Sequence, residues 1–278
     1  MRKNILKAFI AFGAIAMFAS CSSDNFESKF DENPTERFEN RKKDLTNNLL
    51  SSEFGWKATY FTNDQKYGGY THLMKFKDAT NVEMISDFDL NSYNGLKAIE
   101  SEYKIGWSTT VSLMFNTPNH IHMLANNQIA PGKKGKGFEG DFEFLFKAKN
   151  GLDLDFITVR SNVDVKFERA QESDWEDIKF HNDTKNALNV KRNLVLIENG
   201  EETTFSFKFD RNTRWAWVLN ADQTESVNGT GGIGIGFRKD GLVVSPAIEF
   251  EDGTSVSEFV KDGTTYVAQV GNNKVIIK

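Results

Sequence analysis

The stretch Phe205-Ser206-Phe207-Lys208-Phe209-Asp210 decides the fold class, because its apolar and polar residues alternate without a break. A strand turns successive side chains to opposite faces, so a period of two sets three rings on one sheet face and three polar groups on the other. Phe142, Phe144 and Phe146 alternate in the same way with Glu143, Leu145 and Lys147. The pairs Asn150-Gly151, Asn199-Gly200, Asp240-Gly241, Asp252-Gly253 and Asp262-Gly263 sit between such runs. They tolerate the positive φ that two-residue hairpins require. With 24 Phe and only 4 Pro in 278 residues, the chain leans to strand throughout. The expectation is a mainly β protein with antiparallel sandwich or barrel-like sheets in two halves.

Helical periodicity is convincing in two places. Over 36–52, Phe38, Leu45 and Leu49 fall near one face, with Thr35 as a candidate N-cap and Gly55 just past the end. Further on, Ser173-Asp174-Trp175-Glu176 fits the S-x-x-E capping box and opens a second helix running to about Leu188. The expected order is therefore an N-terminal amphipathic helix and β-rich half (36–170), one connecting helix (171–190) and a second β-rich half (191–278).

The first twenty residues have the form of an export signal. Arg2, Lys3 and Lys7 supply a positive start, and Ile5 to Phe18 is mostly apolar and carries no acid. That run is shorter than the ~20 residues a spanning helix needs and suits a signal sequence. Ala19 and Ser20 then lead into Cys21, the only cysteine of the chain. A lone thiol is odd in an oxidising compartment, where cysteines pair. Its place at the end of the apolar run resolves the oddity if Cys21 is lipidated after cleavage. The competing reading, a stray cysteine in an ordinary cleavable signal, gives no account of that position. Residues 1–20 are thus expected to be a signal peptide, and 21–35 a polar tether behind a lipid anchor. An anchor of two or three acyl chains holds a protein stably, whereas a single chain is marginal. Removal of the signal takes three cations and no acid, moving the net charge from −5 to −8. That balance argues against nucleic acid as a partner, which would want a basic footprint.

Several motifs imitate known sites. Gly229-Thr230-Gly231-Gly232-Ile233-Gly234 contains the letters of a dinucleotide loop, but it runs on into the alternating strand Ile233, Ile235, Phe237 instead of opening a helix. A glycine face that lets another segment pack closely fits better. The loop from Pro131 to Gly137 has phosphate-loop spacing, with Phe138 and Glu139 where Lys and Ser or Thr are required. Asp87, Asp89 and Asn91 imitate the start of a calcium loop whose glycine and closing acid are missing. His120 and His122, an i, i+2 pair expected on a strand, would project from one face and could supply two of the ligands that zinc needs. Trp215 and Trp217 share one strand face; exposed, they would form a stacking platform for sugar rings. Apolar Ala216, Val218 and Leu219 between and beside them favour a core strand instead. No catalytic motif stands out, no G-x-S-x-G and no H-E-x-x-H, and no cofactor is expected.

The order of motifs resembles a family of exported lipoproteins from Bacteroidota-type bacteria, the domain-of-unknown-function family 4302. The residues that carry it are Leu49-Leu50, Gly55-Trp56 and Tyr60, then Gly68-Gly69-Tyr70, Phe76 and Val82. Gly140-Asp141-Phe142-Glu143-Phe144 follows, with Asp240-Gly241-Leu242 and Ser257-Glu258-Phe259 near the end. The resemblance implies a gene neighbourhood of outer-membrane nutrient uptake, with a TonB-dependent transporter and a SusD-like binding lipoprotein as partners. It carries over no catalytic residue. Asp24, soon after Cys21, is similar to the acidic export signals that send such lipoproteins to the cell surface, so the periplasmic and surface faces of the outer membrane both stay open.

Together these readings lead to an outer-membrane-anchored accessory lipoprotein that binds a nutrient, glycan or peptide, or a component of a TonB-dependent system. A hydrolase whose carboxylates assemble only in three dimensions, and a purely structural envelope lipoprotein, are the alternatives.

Overall fold

The computed structural model describes residues 33–132 and 134–278. The signal peptide, Cys21 and most of the tether lie outside the described residues. Phe38–Lys278 form one unit.

The chain is mainly β, with about 46% strand and 14% helix. Eight strands close into a barrel in simple chain order: β1 (Trp56–Phe61), β2 (Gly69–Phe76), β3 (Asn81–Ser86), β4 (Ile99–Trp107), β5 (Val111–Phe115), β6 (Glu143–Asn150), β7 (Asp153–Thr158) and β8 (Asp164–Arg169). Trp56 opposite Arg169 and Lys57 opposite Glu168 join β8 back to β1. Eight more repeat the pattern: β9 (Arg192–Glu198), β10 (Glu201–Asp210), β11 (Trp215–Leu219), β12 (Gly232–Arg238), β13 (Gly241–Glu249), β14 (Ser255–Asp262), β15 (Thr265–Val270) and β16 (Asn273–Ile277). Here Val275 opposite Leu196 closes β16 onto β9. All neighbours are antiparallel, and closure removes the exposed edges that an open sheet would present.

Hairpin chemistry explains the local order. Between β9 and β10, Asn199 and Gly200 both adopt positive φ, 52° and 85°, as a two-residue turn matching strand twist demands. At Asp240-Gly241 the turn falls one residue earlier than the sequence suggests. Arg238 pairs with Gly241, so Lys239 and Asp240 make the loop.

Each barrel has its own core. Phe205 and Phe207 are buried inside the second barrel, with half-buried Phe209 packed edge-on to Phe237 at 5.9 Å. The first barrel is filled largely by aromatic rings, including Trp56, Tyr60, Tyr70, Phe144, Phe156 and Phe167. Phe142 departs from its expected place beside Phe144, because β6 begins only at Glu143; it is exposed and stacks on His122 at 4.9 Å.

Helix α1 (Pro34–Leu50) supplies Leu45 and Leu49 to the first core, and Leu49 O accepts a 2.8 Å hydrogen bond from Trp56 Nε1. Asn33, not Thr35, caps it. Asn33 Oδ1 accepts from Glu36 N at 2.9 Å, and Glu36 Oε2 accepts from Asn33 N at 3.3 Å. Pro34 then occupies the first helical position, where its missing N–H costs nothing.

The connection between the barrels is helical but broken. It runs as α3 (Asp174–Asp177), a 3-10 turn (Ile178–Phe180) and α4 (His181–Ala187), with α2 reserved for the short helix His120–Met123 inside the first barrel's loops. The box expected at Ser173 does not form. Ser173 already has helical angles, φ −63° and ψ −27°, whereas a cap requires extended backbone to aim its hydroxyl at the first amides. Glu176 pairs with Lys179 at 2.7 Å instead.

The glycine face of β12 is where the two barrels meet. Ile233, Ile235 and Phe237 point into the second core, so Gly232, Gly234 and Gly236 face outward. A Cβ on Gly234 would stand 2.7 Å from Tyr67 O, and one on Gly236 2.5 Å from Thr59 Cγ2, both groups belonging to the first barrel. Only a surface without side chains lets the backbones approach this closely.

Candidate functional site

Along this seam the chain buries charge. Asp87, just past β3, accepts hydrogen bonds from Thr71 N, Arg214 Nη1 and His181 Nδ1, each 2.9 Å long. Arg214 comes from the second barrel, directly before β11. Its Nη2 donates to Asp87 O at 2.6 Å, and its Nη1 also reaches Gly69 O at 2.9 Å. The guanidinium lies 4.2 Å from the centre of the Tyr70 ring and 5.1 Å from that of Phe237, so an aromatic face from each barrel flanks it. Lys185 of α4 holds Asp89 at 2.5 Å. Burial by itself would raise the Asp87 carboxyl, but the Arg214 charge, the His181 hydrogen bond and the Thr71 amide outweigh it and hold the group at about 2. Burial and the Arg214 charge pull Lys185 below its ordinary value.

Beside this buried cluster a cleft of about 420 Å³ opens between the barrels and the connecting helices. Its polar rim is made of ion pairs. Lys57 of β1 meets Asp174 of α3 at 2.9 Å, and Lys239 of the β12–β13 turn meets Asp177 at 2.9 Å. Arg238 reaches Glu258 at 3.0 Å and, across to β8, Glu168 at 3.8 Å. The cleft thus offers charges of both signs at fixed spacing, with Thr59 and Thr71 hydroxyls on the first-barrel wall. Of its carboxylates, Asp174, Asp177 and Glu258 are each engaged by a cation.

The residues singled out in the sequence land elsewhere. His120 and His122 sit on helix α2, not on a strand, because Asn119 caps the turn. Its Oδ1 accepts from Ile121 N at 3.0 Å and His122 N at 3.4 Å. Both ring nitrogens of His120 are taken, by the Tyr93 hydroxyl at 2.6 Å and Lys97 O at 2.9 Å. Burial lowers His120 to about 4 and lowers His122 as well. No group of three or more His, Cys, Asp or Glu that could hold a metal is found among the described residues, so the pair has no third ligand. Trp215 and Trp217 do share a face, the outer one of β11, since Ala216 and Val218 point inward. They differ in exposure: Trp215 is 4% exposed and Trp217 41%, so only one ring meets solvent. Neither packs into the barrel core that the flanking apolar residues suggest. Asp87 and Asp89 are paired with Arg214, His181 and Lys185 inside the protein.

Sequence reading missed Arg214, Lys57 and Lys239, and gave their partners Asp87 and Asp174 other roles. The one available signal was the acidic pair itself, since buried acids demand cations somewhere in the chain.

Among the described residues, no helix is long and apolar enough to cross a membrane. Residues 26–263 match a family model with the description Domain of unknown function (DUF4302). No curated protein matches the chain.

Proposed function

The chain belongs to the family described as Domain of unknown function (DUF4302), and from that premise we propose that it is an outer-membrane-anchored accessory lipoprotein whose junction cleft binds a polypeptide. The occupant is a peptide nutrient or a segment of a TonB-dependent transporter or SusD-like partner. The observation that carries this is the cleft rim, where Lys57–Asp174, Lys239–Asp177 and Arg238–Glu258 alternate in sign. A polypeptide presents amide groups and charges of both signs, and it can exchange with such pairs one for one. Sugar recognition favours an exposed aromatic face. The exposed rings Trp107, Phe142, Phe180 and Trp217 all lie outside the cleft lining, which favours peptide over glycan. Closed barrels offer no free strand edge, so the binding mode is side-chain docking and not strand addition.

The test is capture from native outer membranes with the lipidated protein, alongside a peptide array and a glycan array. Retention of transporter components or of defined peptides, weakened at least tenfold by the charge reversal Lys57→Glu with Asp177→Lys, is the expected result. Flat arrays together with no transporter component recovered would overturn the reading. For the anchor, Cys21→Ser is expected to move the protein from the membrane to the soluble fraction. Unchanged fractionation would remove the lipid attachment.

A further inference from the structure

Strand polarity puts one set of first-barrel features at a single end. Trp56 starts β1, while Phe76, Trp107, Asn150 and Arg169 finish β2, β4, β6 and β8, so all five stand at the same rim. Helix α1 lies across that rim. Phe38 packs edge-on to Trp107 at 5.3 Å, Asn48 Oδ1 accepts from Lys149 Nζ at 3.0 Å, and Ser51 O accepts from Arg169 Nη1 at 2.9 Å. Three large apolar side chains are left facing water around it: Trp107 at 57% exposure, Leu152 at 67% on the β6–β7 turn, and Leu50 at 39% on the last turn of the helix. The opposite end of this barrel carries the longer loops and the contacts with Arg214.

We propose that this α1-covered end rests on the bilayer, with Trp107, Leu152 and Leu50 seated in the interfacial layer. The choice of partner rests on the lipid-anchor reading of Cys21. Twelve residues separate Cys21 from Pro34, thirteen steps and a covalent reach of at most about 45 Å at roughly 3.3–3.6 Å each. The helix they lead to is the one that crosses this rim, so an anchored chain presents this end first. Tryptophan favours the boundary between headgroups and acyl chains, where its ring is sheltered and its N–H stays wet. A patch too small to hold a free protein suffices on a tethered one, because attachment makes its contact intramolecular. Helix α1 exposes Glu36, Glu39, Arg41, Lys43 and Asp44 beside the patch, and β6 exposes Lys149, three acids against three bases. These charges balance, so the contact made by Trp107, Leu152 and Leu50 is indifferent to anionic lipid.

The experiment uses the mature lipidated protein in phosphatidylcholine vesicles, with or without brominated acyl chains, read by tryptophan emission. Trp107 is one of five tryptophans, so brominated lipid is expected to quench at most about a fifth of the emission in the wild type and about a quarter in Trp217→Phe. The loss should vanish in Trp107→Phe and shrink in Leu152→Asp, whose exposed turn tolerates the charge. It should not change when a fifth of the lipid is replaced by phosphatidylglycerol. Vesicle-bound protein without quenching, or quenching that persists in Trp107→Phe, overturns the docking face while the anchor stands. Protein that never associates with vesicles overturns the anchor itself, and this inference with it.

Discussion

Arg214 of the second barrel donates to Asp87 of the first at 2.9 Å, with both side chains at least 97% buried. The pair is the buried polar centre of a seam that also holds the glycine face of β12 and the Arg238–Glu168 pair. Burying two charges is costly, and the cost is met here by hydrogen bonds to Gly69 O, Asp87 O, Thr71 N and His181. Removing one partner is far worse than removing both.

Arg214→Ala is accordingly expected to destabilise the protein by about 3–5 kcal/mol, since it strands the Asp87 carboxylate. Urea denaturation measures it. A loss below about 1 kcal/mol would mean that the Asp87 charge is satisfied without Arg214.

Stability should fall as acidity rises, through His72. This ring faces the first-barrel interior between Tyr70 and Met74, and neither nitrogen has a hydrogen-bond partner among the described residues. Burial holds it at about 3. A histidine lowered in the folded state is neutral there but protonated in the unfolded chain below its ordinary value, near 6.5. Its contribution is thus complete above about 6.5 and lost as pH falls toward 3, at about 1.4 kcal/mol per pH unit. His120 acts in the same direction between about 6.5 and about 4, within the His72 window, and Asp87 only below its ordinary 3.8, down to about 2. Urea midpoints measured from pH 7 to 4 should flatten in His72→Leu by about one proton's worth of slope; an unchanged slope refutes the assignment.

The glycine seam predicts a steric effect of known sign. Gly234→Ala places a methyl 2.7 Å from Tyr67 O, a backbone atom that cannot swing away. A cost of about 1–3 kcal/mol is expected, with faster proteolysis in the 171–190 connection. Gly253→Ala meets open space but a φ of 81°, so it strains its own turn and should leave proteolysis of the 171–190 connection unchanged. Equal behaviour of the two variants would show that the barrels do not depend on close approach at β12.

Trp215→Ala should cost about 3–5 kcal/mol, whereas Trp217→Ala should fall below about 1 kcal/mol, because only the first ring is buried. Thermal unfolding separates them. Comparable losses would contradict the different environments of the two rings.

The local levels of this fold were legible without coordinates. The alternation through Phe205–Asp210 names a strand and its buried face, and Asn199-Gly200 names its hairpin. Leu45 and Leu49 name the inner face of α1. Where reading failed, a neighbour in sequence competed with the pattern. Asn119 turned the His120–His122 segment into a helix, and Ser173's own backbone angles removed the cap its letters promised.

By itself the sequence determined a β-rich chain in two halves, a helix before them, the family, and a glycine face that had to receive something. It could do so because strand period, turn angles and missing side chains are properties of neighbouring residues. Closure into two barrels, the partners of Asp87 and the cleft were decided only by tertiary structure. Arg214 lies 127 residues from Asp87, and His181 lies 94 away. Charges find partners through space, and no local pattern encodes which of the chain's 34 Lys and Arg will arrive beside a given acid.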